Sequence, residues 1–308
     1  MKQKKINIFV IGLVMGAAEI VPGVSGGTIA FITGIYERLL SSLKHFTPRL
    51  LLLLKDEGVM AVWRRVDAEF LLLLFGGMGT SILLFATGIS YLLVHEPILL
   101  WSFFFGLVLA SSWLMSRQID RLNLNRIAWA VAGIGIGIVI TGLAPIELAP
   151  TPMFIFLGGA VAVCAWILPG ISGSFILLIL GLYGFVIEAI RQLDITTLVL
   201  LAAGCSLGLI SFAQVLSRLF KSRRDETLAI LTGFMLGSLV KLWPWKLTLA
   251  YQIGSDGHQI PLVQDAVLPS TYVLITGHEP QIGLALLALL VGLAAVVGLE
   301  KLAYTRNR

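Results

Sequence analysis

The sequence predicts an all-α polytopic membrane protein, an inverted-topology repeat with two re-entrant broken hairpins and about six spanning helices. Three observations carry that expectation. The chain is 57% hydrophobic and only 13% charged, with a mean hydropathy of +0.94, which excludes a soluble domain and a disordered chain. Two apolar stretches are interrupted in the same way, at Glu19-Ile20-Val21-Pro22-Gly23-Val24-Ser25-Gly26-Gly27-Thr28 and at Trp166-Ile167-Leu168-Pro169-Gly170-Ile171-Ser172-Gly173-Ser174. The Lys and Arg residues gather in one set of connections.

In chain order, residues 6–40 are apolar but broken at Pro22-Gly23, and 41–68 is a mixed, charged insert. Apolar runs follow at about 69–94, 98–116 and 127–144, each near the ~20 residues that span a bilayer core. Residues 153–190 are apolar again and broken at Pro169-Gly170. Runs at about 195–217, 228–245 and 281–299 complete the chain, with a polar loop, 246–280, between the last two. The single membrane domain, 1–308, thus divides into a first repeat, 6–145, and a second, 153–300. Met1-Lys2-Gln3-Lys4-Lys5 resembles the start of a signal peptide, but no small-residue cleavage site closes the first apolar run, so the N-terminus is expected to be retained.

The halves align. At an offset of 147, Gly12, Pro22, Gly23, Ser25, Gly26, Gly34 and Tyr36 match Gly159, Pro169, Gly170, Ser172, Gly173, Gly181 and Tyr183. At an offset of 127, Gly77, Phe85, Ala86, Gly106 and Ser111 match Gly204, Phe212, Ala213, Gly233 and Ser238. The insert at 41–68 absorbs the difference between the offsets.

Orientation follows from the basic residues. If each broken segment enters and leaves on one side, the cytoplasmic segments hold 18 of the 22 Lys and Arg residues, including Lys44, Arg49, Lys55, Arg64 and Arg65 of the insert. The other side holds Arg191, Lys241 and Lys246, and Arg38 lies at the end of the first hairpin. If the broken segments crossed instead, the five charges of the insert would fall outside. Each half then contains one hairpin and three crossings, and three is odd, so the second half is inserted upside down and the two hairpins approach the midplane from opposite faces. Trp101, Trp243 and Trp245 fall at outer helix ends and Trp113 and Trp129 at inner ones, where an aromatic belt is expected.

The net charge of +5 does not point to nucleic acid, because the charges flank apolar runs. Cys164 and Cys205 both lie in apolar runs and are expected to be buried thiols. The four His residues all fall in connecting segments, which leaves no imidazole in the membrane interior for catalysis or metal binding. No catalytic or metal site is expected.

The chemistry lies at the breaks. Pro removes a backbone donor and paired glycines loosen a helix. In hydrocarbon such backbone is tolerated only where protein buries it or water reaches it, and two breaks at matching positions point to a transporter's binding site. A half-helix starting near Ser25 or Ser172 would present uncapped N–H groups, hydroxyls and the positive end of a dipole through Ser25, Gly26, Gly27 and Thr28, and through Ser172, Gly173 and Ser174. That set suits an anion such as phosphate or carboxylate. The plainer alternative is a kink capped by serines, with small residues permitting close helix contact; duplication in both halves favours a site.

Glu19 lies inside an apolar run, where an ionised carboxylate is expensive. It is expected to bind a proton or cation coupled to anion movement, the alternative being a structural acceptor for the broken backbone. Arg38 and Lys241 are weaker candidates for meeting a phosphate, because basic residues at such positions commonly snorkel to the interface. Tyr36 and Tyr183, matched across the repeat, suit packing or a hydroxyl contact equally.

GAAEIVPGVSGGTIAFITGIYERL (16–39), LPGISGSFILLILGLY (168–183) and LAILTGFMLGSLVKLWPW (228–245) resemble a bacterial and archaeal membrane family of polyprenyl-phosphate (PopT-type) transporters, long known as a domain of unknown function. The likeness covers nearly the whole chain, except that loop 246–280 carries no matching motif. It implies undecaprenyl phosphate as substrate, returned from the outer to the cytoplasmic leaflet of the cytoplasmic membrane for cell-envelope synthesis, with membrane lipids as surroundings; the charge count puts both termini in the cytoplasm. It implies no cofactor, and coupling to H+ or Na+ stays open. An integral-membrane polyprenyl-pyrophosphate phosphatase is the alternative from another class, but hydrolysis needs an activated nucleophile or metal-held water, and Ser25, Ser172 or Ser174 would act without a membrane-embedded His. A transporter of a small soluble anion is the third reading.

Overall fold

The computed structural model describes residues 5–21, 24–121, 123–145, 149–253 and 259–305. Pro22 and Gly23 of the first break, the N-terminal Met1-Lys2-Gln3-Lys4, Arg306 and Arg308, and Asp256, Gly257 and His258 of the polar loop lie outside them. The first broken segment forms α1 (Lys5–Glu19), α2 (Gly26–Ile32) and α3 (Tyr36–Leu43). Ser25, in extended backbone, starts α2 by accepting the Gly27 N–H, a serine N-cap. The charged insert folds into α4 (Arg49–Glu57) and α5 (Val59–Arg65), and three long helices follow: α6 (Ala68–His95), α7 (Pro97–Ser116) and α8 (Leu124–Thr141). The second broken segment repeats the first as α9 (Pro152–Ile167), α10 (Gly173–Ile179) and α11 (Tyr183–Arg191). Then come α12 (Ile195–Ser222), α13 (Arg224–Ser238), the antiparallel strands β1 (Lys246–Ile253) and β2 (Gln259–Ala266), α14 (Pro269–Thr276) and α15 (Ile282–Thr305).

Among the described residues, five helices are long and apolar enough to cross a membrane: α6, α7, α8, α12 and α15. The sixth expected crossing, 228–245, is shorter than its apolar run. Helix α13 has 15 residues, about 22 Å at 1.5 Å per residue, against a hydrocarbon core of ~30 Å. Helices α10 and α11 together are apolar enough to span, but they bend by 110° at the turn between them. With seven residues each, α2 and α10 reach only about 10 Å.

Chain direction shows how the broken segments run. Lys5 pairs with Glu69, a Cβ on Gly12 would strike the Leu74 carbonyl, and one on Gly16 would strike Met78. Rising numbers meet rising numbers, so α1 and α6 are parallel, and the chain between them returns to the level from which it started. The second repeat packs alike, with Gly204 against the Phe156 carbonyl and Gly208 against that of Ala160. Phe9 and Gly77 stand in the same relation as Phe156 and Gly204, at the two offsets seen in the sequence. The remaining contacts exchange helices between halves. Gly106 of α7 meets Leu289 of α15, and its repeat partner Gly233 of α13 meets Ala130 of α8. These crossings lack side chains at the seam, so backbone lies against backbone.

Loop 246–280 is not featureless. It folds into the β1–β2 hairpin and α14, and its residues meet the tryptophans that precede it. Trp243 donates its indole N–H to the Val267 carbonyl and Trp245 to the Pro280 carbonyl, each at 2.8 Å. Trp101 and Trp245 are buried, so they are packing residues rather than a lipid-facing belt. Trp113 and Trp129 are exposed, as a belt requires.

The core is centred on α2, in which every residue from Gly26 to Ile32 is buried, against α1, α7, α9 and α15. Helix α10, its repeat partner, buries only Phe175 and Ile179. The two tips are therefore seated unequally.

Candidate functional site

The first tip closes on the end of α9. A helix leaves its last carbonyls without partners, and two residues of the first repeat reach them. The Ser25 hydroxyl donates to the Trp166 carbonyl at 3.1 Å, and the Tyr36 hydroxyl donates to the Ile167 carbonyl at 3.1 Å. A Cβ on Gly27 would lie 2.5 Å from the Ile167 oxygen, so only glycine allows the tip this close. The two breaks, expected from sequence to approach each other, are in direct contact.

The N–H groups of the first tip are not open, contrary to the sequence expectation. Glu19 accepts the Gly26 N–H at 2.5 Å, and the Ser25 hydroxyl oxygen accepts the Gly27 N–H at 3.0 Å. The Thr28 amide is bonded to the Ser25 carbonyl at 3.0 Å. The Thr28 hydroxyl, by contrast, is fully buried with no hydrogen-bond partner among the described residues, a position that disfavours a polar atom unless something else meets it. At the second tip the Ser172 hydroxyl oxygen accepts the Phe175 N–H at 3.2 Å and lies 3.1 Å from that of Ser174. Gly170, just before it, has φ +101, and a Cβ there would lie 2.9 Å from the Ser238 hydroxyl. The C-terminal end of α13 thus lines the second break.

Glu19 is half-buried and binds the backbone across the first break. Its repeat partner Trp166 stacks on Phe75 of α6 instead, with ring centroids 6.0 Å apart. Arg38 is engaged elsewhere: its guanidinium makes two hydrogen bonds to Asp67, at 2.7 and 3.1 Å, and lies over the Phe70 ring. Lys241 sits 4.8 Å from the centroid of the Phe175 ring, which places a cation beside α10, three residues from Ser172. Tyr36 is buried against Phe220, while Tyr183 is half-buried with no comparable contact among the described residues.

Lys246 escaped the sequence reading. Its ammonium lies 3.4 Å from the centroid of the Trp101 ring with no hydrogen-bond partner among the described residues. Burial, and then the charge of Lys241, hold it well below the ordinary lysine range. The only sequence signal was its place five residues beyond Lys241, next to Trp245.

These features define a multi-pass helical membrane protein whose two broken segments meet inside the bundle. The chain belongs to the undecaprenyl phosphate translocase-like family, whose model matches residues 15–260. It is 48% identical over 298 residues to a polyprenyl-phosphate transporter of Vibrio cholerae serotype O1, covering 97% of each chain. It is 32% identical over 259 residues to a polyprenyl-phosphate transporter of Staphylococcus aureus, covering 78% of this chain and 87% of that one. No solved structure matches it.

Proposed function

We propose that this protein carries a polyprenyl phosphate, undecaprenyl phosphate in a bacterium, from the outer to the cytoplasmic leaflet of the cytoplasmic membrane. Family membership supports the substrate class, and the relatives' names favour transport over phosphatase chemistry. The observation that carries the mechanism is the contact between the tips, Ser25 to Trp166. Ser25, Thr28 and Ser172 are buried, which supports holding a phosphate at the tips while the prenyl chain stays in lipid. The charge count supports cytoplasmic termini.

Glu19 links proton and phosphate through one hydrogen bond. While ionised, it occupies the Gly26 N–H and repels a second anion. Once protonated, it is a weaker acceptor, and the N–H can turn to phosphate. Proton and lipid phosphate then load together. This offsets the cost of moving a negative charge inward, ~2.3 kcal/mol per charge per 100 mV.

Alternating exposure is supported by the unequal seating of the hairpins. Helix α3 packs on α12, with Tyr36 and Phe220 ring centroids 5.8 Å apart and Lys44 donating to Ser217 at 3.2 Å. The equivalent packing of α11 on α6 is slighter among the described residues. One face is closed by the first hairpin, and the reverse arrangement would close the other.

The test is lipid flipping by the purified protein in sealed proteoliposomes, following loss of undecaprenyl phosphate from the outer leaflet with and without a pH gradient. Gradient-sensitive flipping is expected. Folded protein that flips nothing would overturn the proposal.

A further inference from the structure

We infer that the charged insert and α12 form a second phosphate-binding site, a basic vestibule beneath the α3–α12 contact that receives a phosphomonoester head group from the adjoining leaflet. The vestibule is a cavity of about 1040 Å³ whose lining includes Lys44, Arg49, Arg64, Arg65 and Arg218, with Glu57 as its one carboxylate among the described residues. Among the described residues, none of these five cations is ion-paired. Clustered like charges repel one another, and the cost is visible at Lys44. Its ammonium is held below the ordinary lysine range by burial and then by the charges of Lys221 and Arg65. An anion in the cavity would relieve that repulsion. Arginine forks match the oxygens of a phosphate group.

The outer surface of the insert indicates a lipid source. Leu51, Leu52, Val59, Met60 and Trp63 of α4 and α5 are exposed, while Arg49, Arg64 and Arg65 of the same helices line the cavity. Helix α5 turns Arg64 and Arg65 to the cavity and α4 turns Arg49 to it together with Leu50 and Leu53; helices with exposed apolar residues and a basic side lie in the membrane interface. The cavity therefore opens where phosphate head groups reside, on the face that the charge count assigns to the cytoplasm. Assigning this site to the transported lipid rests on the proposed function. The anion site itself rests on the cations.

The test uses the full-length protein in phosphatidylcholine nanodiscs and a photoactivatable farnesyl monophosphate, with labelled peptides mapped by mass spectrometry. Labelling is expected on peptides covering 49–65 and 214–218. It should fall roughly tenfold in Arg64→Gln/Arg65→Gln and in Arg218→Gln, with thermal stability unchanged. A photoactivatable farnesol should not label there. Failure of equimolar inorganic phosphate to compete supports a lipid head group as the ligand, and full competition supports the same site with free phosphate as its source. Labelling that ignores the arginine variants, or equal labelling by the farnesol probe, overturns the site. The outcomes separate from those of the flipping assay: arginine-dependent labelling without flipping would sink transport alone, and flipping with arginine-independent labelling would sink the vestibule alone.

Discussion

Ser25 and Trp166 lie 141 positions apart, and the hydroxyl of one donates to the backbone carbonyl of the other at 3.1 Å. This bond joins the start of one half-helix to the end of the helix that carries the other break. It is paralleled by Tyr36 and Ile167, so the first hairpin seals the orphan carbonyls of α9.

Gly27 sits at that seam, 2.5 Å from the Ile167 oxygen once a Cβ is built. Gly27→Ala is expected to force the tips apart and cost about 1–3 kcal/mol, as overpacking does. A lowered melting temperature in detergent, together with loss of flipping, checks this. Gly34→Ala makes a useful contrast, because its Cβ meets nothing within 4 Å and the strain of its φ of +72 is the only penalty.

Glu19→Gln removes the titratable group while keeping an acceptor for the Gly26 N–H. In the proposed coupling, protonation of Glu19 on the loading side would free that N–H, so wild-type flipping should quicken as the loading side is acidified. The Gln variant should show a flat pH profile. A profile identical to wild type would take Glu19 out of the coupling.

The two matched tyrosines should behave differently. Tyr36→Phe deletes the buried hydrogen bond to the Ile167 carbonyl and is expected to cost about 1 kcal/mol, loosening α3 from the end of α9. A cysteine placed at Leu40, buried in α3, should then react faster with a thiol reagent. Tyr183→Phe should leave stability near wild type and slow turnover, because its hydroxyl would be used when the second hairpin closes.

Arg38 and Asp67 form a half-exposed pair with two hydrogen bonds. A double-mutant cycle with Arg38→Gln and Asp67→Asn should give a coupling of at most about 1 kcal/mol, the scale of exposed ion pairs. If Arg38 instead served the phosphate, Asp67→Asn would leave transport intact while Arg38→Gln abolished it.

Much of this was legible in the chain because membrane physics is one-dimensional at that level. Apolar runs of span length, breaks at Pro-Gly and basic connections reflect the transfer of groups between water and hydrocarbon, which depends on residue type more than on neighbours. The repeat offsets paired Gly77 with Gly204, and the structure shows both against carbonyls, those of Phe9 and Phe156. The β1–β2 hairpin was not legible, and neither was the burial of Trp101 and Trp245, which takes them out of the belt that their positions suggested.

By itself, then, the sequence determined the membrane class, the duplicated breaks and the gathering of basic residues in one set of connections. The tertiary structure alone decided which groups at the breaks are satisfied. Glu19 binds Gly26, Ser25 binds Trp166 and Arg38 binds Asp67, while the cations around Lys44 have no ion-pair partner among the described residues. The physical reason is range. Hydropathy sums along the chain, whereas a hydrogen bond or ion pair acts over about 3–4 Å, and whether residues 141 positions apart come that close depends on how the helices pack.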